Sequence, residues 1–321
     1  MPDTTFLHWP FFDNSHRQLA ADLAAWTEKE IAPFEDDEDD VAGLSKRFVG
    51  MLGDAGWLRY SVPAEFGGAF ETLDVRSLCI CRETLARTSG LADFAFAMQG
   101  LGCGPISLFG SPEVKAQYLV PVREGKRVAA FALTEQDAGS DVAAMTTSAV
   151  ADGGDFIING AKTFISNAGI ADHYVVFART SDDGARGISA FVVEADNPGL
   201  EVTELLEVIA PHPLGTVQFT NCRVPASHQL GELGEGFKVA MSTLDIFRST
   251  VGAASLGFAR RALDEALARV QARKAFGQQL ADFQFTQGKL ADMATDIDAS
   301  ALLIYRAAWT RDCVADRVTR E

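Results

Sequence analysis

Hydrophobic and polar positions change their period twice along the chain. From about residue 14 to 124 the period is helical. His16 to Ile31 carries Leu19, Leu23 and Trp26 at the spacing of one helix face. The acidic run Glu35 to Asp40 reads as a loop, because like charges this dense repel one another. Ser111-Pro112-Glu113 predicts a helix start: an N-cap hydroxyl, a proline in the first turn and an acid facing the positive end of the dipole, with Pro121 ending that helix. From about 126 to 226 the texture becomes short β-prone runs: Val128 to Leu133, Phe156 to Ile158, Tyr174 to Ala178, Ile188 to Val193 and Val217 to Phe219. Gly153-Gly154, Asp182-Asp183-Gly184 and Asn197-Pro198-Gly199 punctuate them as turns. From Gly236 onward two long helices are predicted, about Phe237 to Ala272 and Phe283 to Asp312. They are interrupted near Arg273 to Gly277 and read as an antiparallel pair.

The expected architecture is therefore α+β and multidomain. An N-terminal all-α domain spans 1–125, and a central β-barrel or sandwich spans 126–235. A C-terminal helical bundle follows at 236–321, of which only the first helix pair is present. A pair alone leaves an apolar stripe wet and calls for partner helices.

Composition narrows the function classes. A length of 321 residues suggests two or three domains. A net charge of -16, from 28 basic and 44 acidic residues, argues against nucleic acid as a partner, though not against a small phosphorylated ligand held by backbone amides. The five cysteines, Cys79, Cys81, Cys103, Cys222 and Cys313, are scattered and read as structural thiols of a reducing compartment. No apolar run approaches a membrane span, and the first 15 residues lack Lys and Arg, so a cytoplasmic protein is expected. The histidines at 8, 16, 173, 212 and 228 show no metal-ligand spacing. Gly100-Leu101-Gly102-Cys103-Gly104 sits in a helical region and not after a strand, so close packing or a helix break explains it better than dinucleotide binding.

Two segments carry candidate chemistry. Phe131 to Asp141 leaves a β-run and enters a loop with hydroxyls at Thr134 and Ser140, and with Ala138 and Gly139 permitting close backbone approach. Residue chemistry alone fits both a turn-rich loop and a ligand loop. Asn159-Gly160 is a hairpin-turn signal, and the strand after it puts Phe164 and Ser166 on one face, suited to a flat heteroaromatic ring or to a plain barrel surface.

In order along the chain stand Thr134-Glu135…Ala138-Gly139-Ser140-Asp141, Ile158-Asn159-Gly160-x-Lys162…Ser166-Asn167, Phe191-Val192-Val193-Glu194, Gly236-Phe237-Lys238-Val239-Ala240-Met241 and Arg273-Lys274-x-Phe276-Gly277. Together they resemble the signatures of acyl-CoA dehydrogenases over nearly the whole chain. The resemblance implies FAD as cofactor and α,β-dehydrogenation of an acyl-CoA or carrier-bound acyl thioester: a carboxylate takes the α-proton and the β-hydride passes to flavin N5. It implies electron-transfer flavoprotein as partner, a role in lipid metabolism, and a homotetramer or homodimer with FAD between subunits. By the same resemblance Phe131, Leu133, Thr134, Gly139 and Ser140 hold the isoalloxazine and pyrophosphate, and Ser140 also nears the thioester arm. Phe164, Ile165 and Ser166 stack on the ring and reach its N5/O4 edge. Arg273, Phe276, Phe283 and Gln284 bind the adenosine half in a neighbouring subunit. Asp245 to Arg248 line the substrate site, and Arg186 lies where CoA phosphates bind. Phe94, Phe96 and Met98 fall where the acyl chain lies and would favour short, branched or cyclic groups.

Each of these also has a plain structural reading. Asp245 and Arg248 could pair on a helix surface, Arg273 could cap its helix, and Phe276 and Phe283 could be core. The family's catalytic glutamate would lie beyond Glu321. The alternative base position holds Phe247, which cannot accept a proton, so no base is assigned and the chain is expected to be incomplete at its C-terminus. The family's Pro-Gly in the flavin loop is replaced by Gln136-Asp137, and its stacking Trp by Phe164. A flavin-dependent monooxygenase or oxidase of the same fold, and an inactive flavin-binding subunit, are the competing readings.

Overall fold

The computed structural model describes residues 3–35, 37 and 39–314; Asp36 and Glu38 of the acidic run and the terminal stretch ending at Glu321 lie outside the described residues. The described chain forms two compact units, one from residues 3–35, 74–93 and 246–314, the other from 37–73 and 94–245.

The first unit contains α1 (Asn14–Glu30), α3 (Val75–Thr88) and α7 (Gln284–Cys313), with the larger part of α6 (Gly236–Ala272). Asp13 caps α1 by accepting from Ser15 N and His16 N. The Asp312 carboxylate accepts from Val75 N at 2.9 Å and Arg76 N at 3.0 Å, so an acid late in α7 supplies the anion that the start of α3 attracts. Inside, Arg82 and Asp93 form a bidentate pair at 2.9 and 2.8 Å, and Arg82 reaches Thr250 Oγ1 at 3.2 Å. Glu83 accepts from Arg260 Nε at 2.8 Å and from the Tyr305 hydroxyl at 2.5 Å. The α6–α7 pair exposes Val251, Phe258, Leu302 and Leu303. The connection between them is a small hairpin, β9 (Lys274–Ala275) and β10 (Gln278–Gln279), turning at Phe276 and Gly277, both of positive φ.

The second unit holds α2 (Val41–Asp54), most of α4 (Gly90–Phe109), α5 (Pro112–Arg123) and a mixed eight-stranded sheet. Its strands are β1 (Ala129–Ala132), β2 (Ser148–Asp152), β3 (Asp155–Ser166), β4 (His173–Arg179), β5 (Ile188–Glu194), β6 (Leu200–Leu205), β7 (Leu214–Pro225) and β8 (Gln229–Leu230). They run in the order β6-β7-β3-β2-β4-β5-β8, with β1 parallel to β4. The alternation of side chains explains why the central residues of β4 and β5 are apolar on both faces. Val175, Phe177, Ala190 and Val192 enter one core with Tyr118 and Leu119 of α5. Val176, Ala178, Phe191 and Val193 enter the other with Phe156, Val217 and Phe219. A helical first part, a β middle and a terminal helix pair are thus present in the predicted order.

Gly102 of α4 has no room for a side chain: a Cβ there would lie 2.6 Å from that of Ala129. Close packing on β1 therefore accounts for Gly102, the central glycine of that stretch. Ser111 caps α5 through Val114 N at 3.3 Å, as predicted, but Pro121 lies inside α5 and not at its end. A proline in the last turn forfeits one intrahelical bond without stopping the chain from completing it. Asn159-Gly160 is also misread as a hairpin turn. It lies within β3, where the pairing with β7 shifts register between Ile158 and Gly160. The turn entering β3 is Gly153-Gly154, both at positive φ, between the paired Asp152 and Asp155. Gly160 serves the bulge: at φ 140° a Cβ would stand 2.6 Å from Thr147 Oγ1.

Candidate active site

In the second unit, β1 delivers Phe131 and Leu133 into the core, where the Phe131 ring packs on Phe177 at 5.0 Å. The chain then turns tightly. Glu135 and Ala138 exchange backbone hydrogen bonds of 3.1 and 3.2 Å, and the Thr134 carbonyl accepts from Thr163 N of β3 at 3.0 Å. The loop is pinned from beneath by a buried ion pair. Lys162 Nζ donates to Glu135 Oε1 at 2.8 Å and to the Leu133 carbonyl at 3.1 Å. The Glu135 carboxylate also accepts from Thr146 N at 2.7 Å, Thr146 Oγ1 at 2.9 Å and Thr147 N at 3.0 Å. Burial acts to raise the Glu135 carboxyl, but the Lys162 charge and these donors outweigh it and bring it down to about 2. Burial pulls the Lys162 ammonium down to about 8, with Glu135 opposing. The pair is charged near neutrality and ties the loop to β3.

The upper part of the loop is open. Gly139 and Ser140 are exposed and Thr134 is half-buried. A Cβ added to Gly139 would meet nothing within 4 Å, so no neighbour in the protein requires glycine there, and the backbone is free to receive a ligand edge. The loop also borders a cleft of about 310 Å³ with Thr146, Thr163, Thr216 and Glu204.

Across from Thr134, β3 breaks its register between Lys162 and Ile165. Phe164 adopts φ 54° and stays 59% exposed, while Ile165 is buried and Ser166 half-buried. An aromatic ring held outward on left-handed backbone is strained. Asn167 follows at φ 64° and is fully buried. Its Nδ2 donates to the Ala129 carbonyl at 2.8 Å and its backbone N to the Pro213 carbonyl at 2.8 Å, joining β1, β3 and the loop before β7. Neither Asn167 nor the Lys162–Glu135 pair was singled out for a role by residue chemistry; their motif positions were the only signal.

The other predicted residues are distributed as follows. Met98 is buried and Phe94 half-buried on α4, with the Phe94 ring 4.1 Å from that of His212. Arg186 is exposed and pairs with Asp183 at 3.3 Å. On α6, Asp245 is half-buried, Phe247 buried and Arg248 exposed. In the first unit, Arg273 and Gln284 are exposed, Phe283 is half-buried, and Phe276 is 97% exposed at its hairpin tip. Neither phenylalanine of this connection is core. Among the described residues no helix is long and apolar enough to cross a membrane.

Comparison with known proteins agrees with this arrangement. Residues 13–126 match the N-terminal domain of acyl-CoA dehydrogenases, 130–222 the middle domain and 234–319 the C-terminal domain. A probable acyl-CoA dehydrogenase of Mycobacterium leprae is 40% identical over 307 residues, covering 93% of this chain and 78% of that protein. The CarC subunit of the caffeyl-CoA reductase–Etf complex of Acetobacterium woodii is 38% identical over 306 residues, 92% of this chain and 78% of its own. The solved butyryl-CoA dehydrogenase of Megasphaera elsdenii superposes with a TM-score of 0.86 at 32% identity, over 94% of this chain and 80% of that one.

The matched domains and relatives make this an FAD-dependent oxidoreductase of the class acting on CH–CH bonds. The chain belongs to the acyl-CoA dehydrogenase family.

Proposed function

We propose that the protein removes the α and β hydrogens of an acyl-CoA thioester, with electron-transfer flavoprotein as the acceptor of its electrons. The observation that carries this reading is the pairing of the Lys162-pinned loop with the strained, exposed Phe164. FAD, when bound, supplies the two-electron redox step. Phe131, Leu133, Thr134, Gly139 and Ser140 would hold its ring and pyrophosphate, with Phe164, Ile165 and Ser166 on the ring's other border. Arg273, Phe276, Phe283 and Gln284, exposed or half-buried, would grip the adenosine half of FAD bound by a neighbouring subunit, which implies a homodimer or homotetramer. Arg186 would meet the CoA phosphates, Ser140 would near the thioester arm, Asp245 and Arg248 would line the substrate site, and Phe94 and Met98 the acyl end. An α-C–H is a very weak acid, so the site must polarise the thioester carbonyl and keep water from the base. Phe247, buried and without a basic atom, does not act as that base.

The Etf complex to which the Acetobacterium relative belongs supports the choice of acceptor. The test is anaerobic titration of the purified yellow protein with acyl-CoAs of graded length. Bleaching by short thioesters, with electrons recovered in electron-transfer flavoprotein, supports the reading. A protein that takes up no flavin, or flavin that no thioester bleaches, overturns it; fast reoxidation by air favours the oxidase alternative.

A further inference from the structure

His212 stands outside every role assigned so far, yet its surroundings hold it rigidly. It lies between Pro211 and Pro213, each with fixed φ, and a residue preceding proline is confined to extended conformations. The loop is closed at one end by Leu206 N donating to the Leu214 carbonyl at 2.8 Å, and held by Asn167 N donating to the Pro213 carbonyl at 2.8 Å. Leu214 is the register partner of Ser166, so His212 is two residues from the strand position facing Ser166. Its ring meets Phe94 with centroids 4.1 Å apart and planes tilted by 44°.

His212 Nδ1 lies 2.8 Å from the Ala210 carbonyl oxygen. A carbonyl only accepts, so the Nδ1 proton makes this bond, and in the neutral ring the lone pair is left on Nε2. A half-buried imidazole with a fixed tautomer thus stands against the residue proposed for the acyl end.

We propose that His212 is a specificity-determining residue. With Phe94 it closes the acyl pocket, and its Nε2 accepts a hydrogen bond from a donor, such as a hydroxyl, at the far end of a short acyl group. This rests on the reading of the site given above. A pocket built to pair a donor discriminates against the analogue that lacks one, because the acceptor is then left unpaired.

The test compares kcat/KM for 4-hydroxybutyryl-CoA and butyryl-CoA. The wild-type protein favours the hydroxylated substrate by about fivefold or more, the worth of one such hydrogen bond. His212→Phe keeps a ring against Phe94 and brings the ratio to about one; His212→Gln, which restores an acceptor, recovers part of it. His212→Ala opens the pocket and moves the chain-length optimum toward octanoyl-CoA. If both thioesters bleach the flavin and the ratio is the same in wild type and His212→Phe, the inference fails while the site reading stands. If neither thioester bleaches the flavin, both fail.

Discussion

The ammonium of Lys162 lies 2.8 Å from the carboxylate of Glu135, and both side chains are buried beneath the loop that turns from Thr134 to Ser140. The two residues are 27 positions apart, one at the exit of β1 and the other in β3, so the contact fixes the loop against the strand that bears Phe164. Lys162→Met leaves Glu135 charged and buried with only neutral donors, and a broken buried pair costs about 3–5 kcal/mol. Urea unfolding should show that loss, and fluorescence titration should show weaker flavin binding. The double variant Lys162→Met/Glu135→Gln should recover much of the stability but not the flavin affinity, because loop position and net burial are separate consequences of the pair.

Phe164 offers a second test, in which stability and binding part company. Left-handed backbone costs a non-glycine residue about 1–2 kcal/mol, and glycine's extra chain entropy costs about 0.5–1 kcal/mol. Phe164→Gly should therefore leave the unfolding midpoint nearly unchanged or slightly higher. If the exposed ring stacks on flavin, the same substitution weakens flavin binding about tenfold, as expected for an aromatic stack of about 1.5 kcal/mol. Unchanged affinity would assign the strain to the bulge alone.

These residues also mark where reading the chain succeeded and where it stopped. The long helices, the break between them near Arg273 to Gly277 and the turn at Gly153-Gly154 are set by local period and local φ demands, which neighbouring residues reveal. Asn159-Gly160 misled because the same dipeptide that makes a tight turn also makes a bulge. The deciding contact, Thr147 against Gly160, comes from another strand. The Thr134 to Ser140 loop was legible as a candidate through its small and hydroxylated residues. What pins it was not, since a lysine and a glutamate 27 residues apart look like surface charges until the sheet brings them together. His212 was likewise only a histidine without metal spacing until Phe94 was found against it.

Acid stability should report on His173. Its ring is fully buried at the start of β4, 4.9 Å from the Tyr118 ring, and neither nitrogen has a hydrogen-bond partner among the described residues. Burial, with a smaller contribution from Arg127, holds its pKa down to about 3. The folded form thus binds fewer protons than the unfolded form between about pH 6.5 and pH 3, so stability is lost as pH falls through that window. From pH 7 to 5 the loss attributable to this group is about 2 kcal/mol. Asp312, raised to about 6 by burial and the Asp74 charge, acts in the opposite sense over pH 4 to 6, so the comparison must be made between variants. Urea midpoints of wild type and His173→Phe should converge as pH rises and separate as it falls, with the variant the more acid-resistant.

The hairpin between α6 and α7 carries two of the residues proposed for the adenosine half of FAD, Arg273 and Phe276. Phe276 stands 97% exposed at φ 51°, with Gly277 beside it at φ 83° and Arg273 just before the turn. A ring presented this way contributes nothing to its own unit's core, so its removal should leave unfolding in urea within about 0.5 kcal/mol of wild type. If the ring and the guanidinium hold an adenosine half, Arg273→Ala and Phe276→Ala should each weaken FAD about tenfold while leaving FMN, which lacks that half, bound as before. Equal loss of both flavins would place the effect in the fold of the hairpin. Equal retention of both would remove Arg273 and Phe276 from the site altogether. The FAD-to-FMN affinity ratio therefore isolates the adenosine grip from everything that Thr134, Ser140 and Phe164 do for the ring.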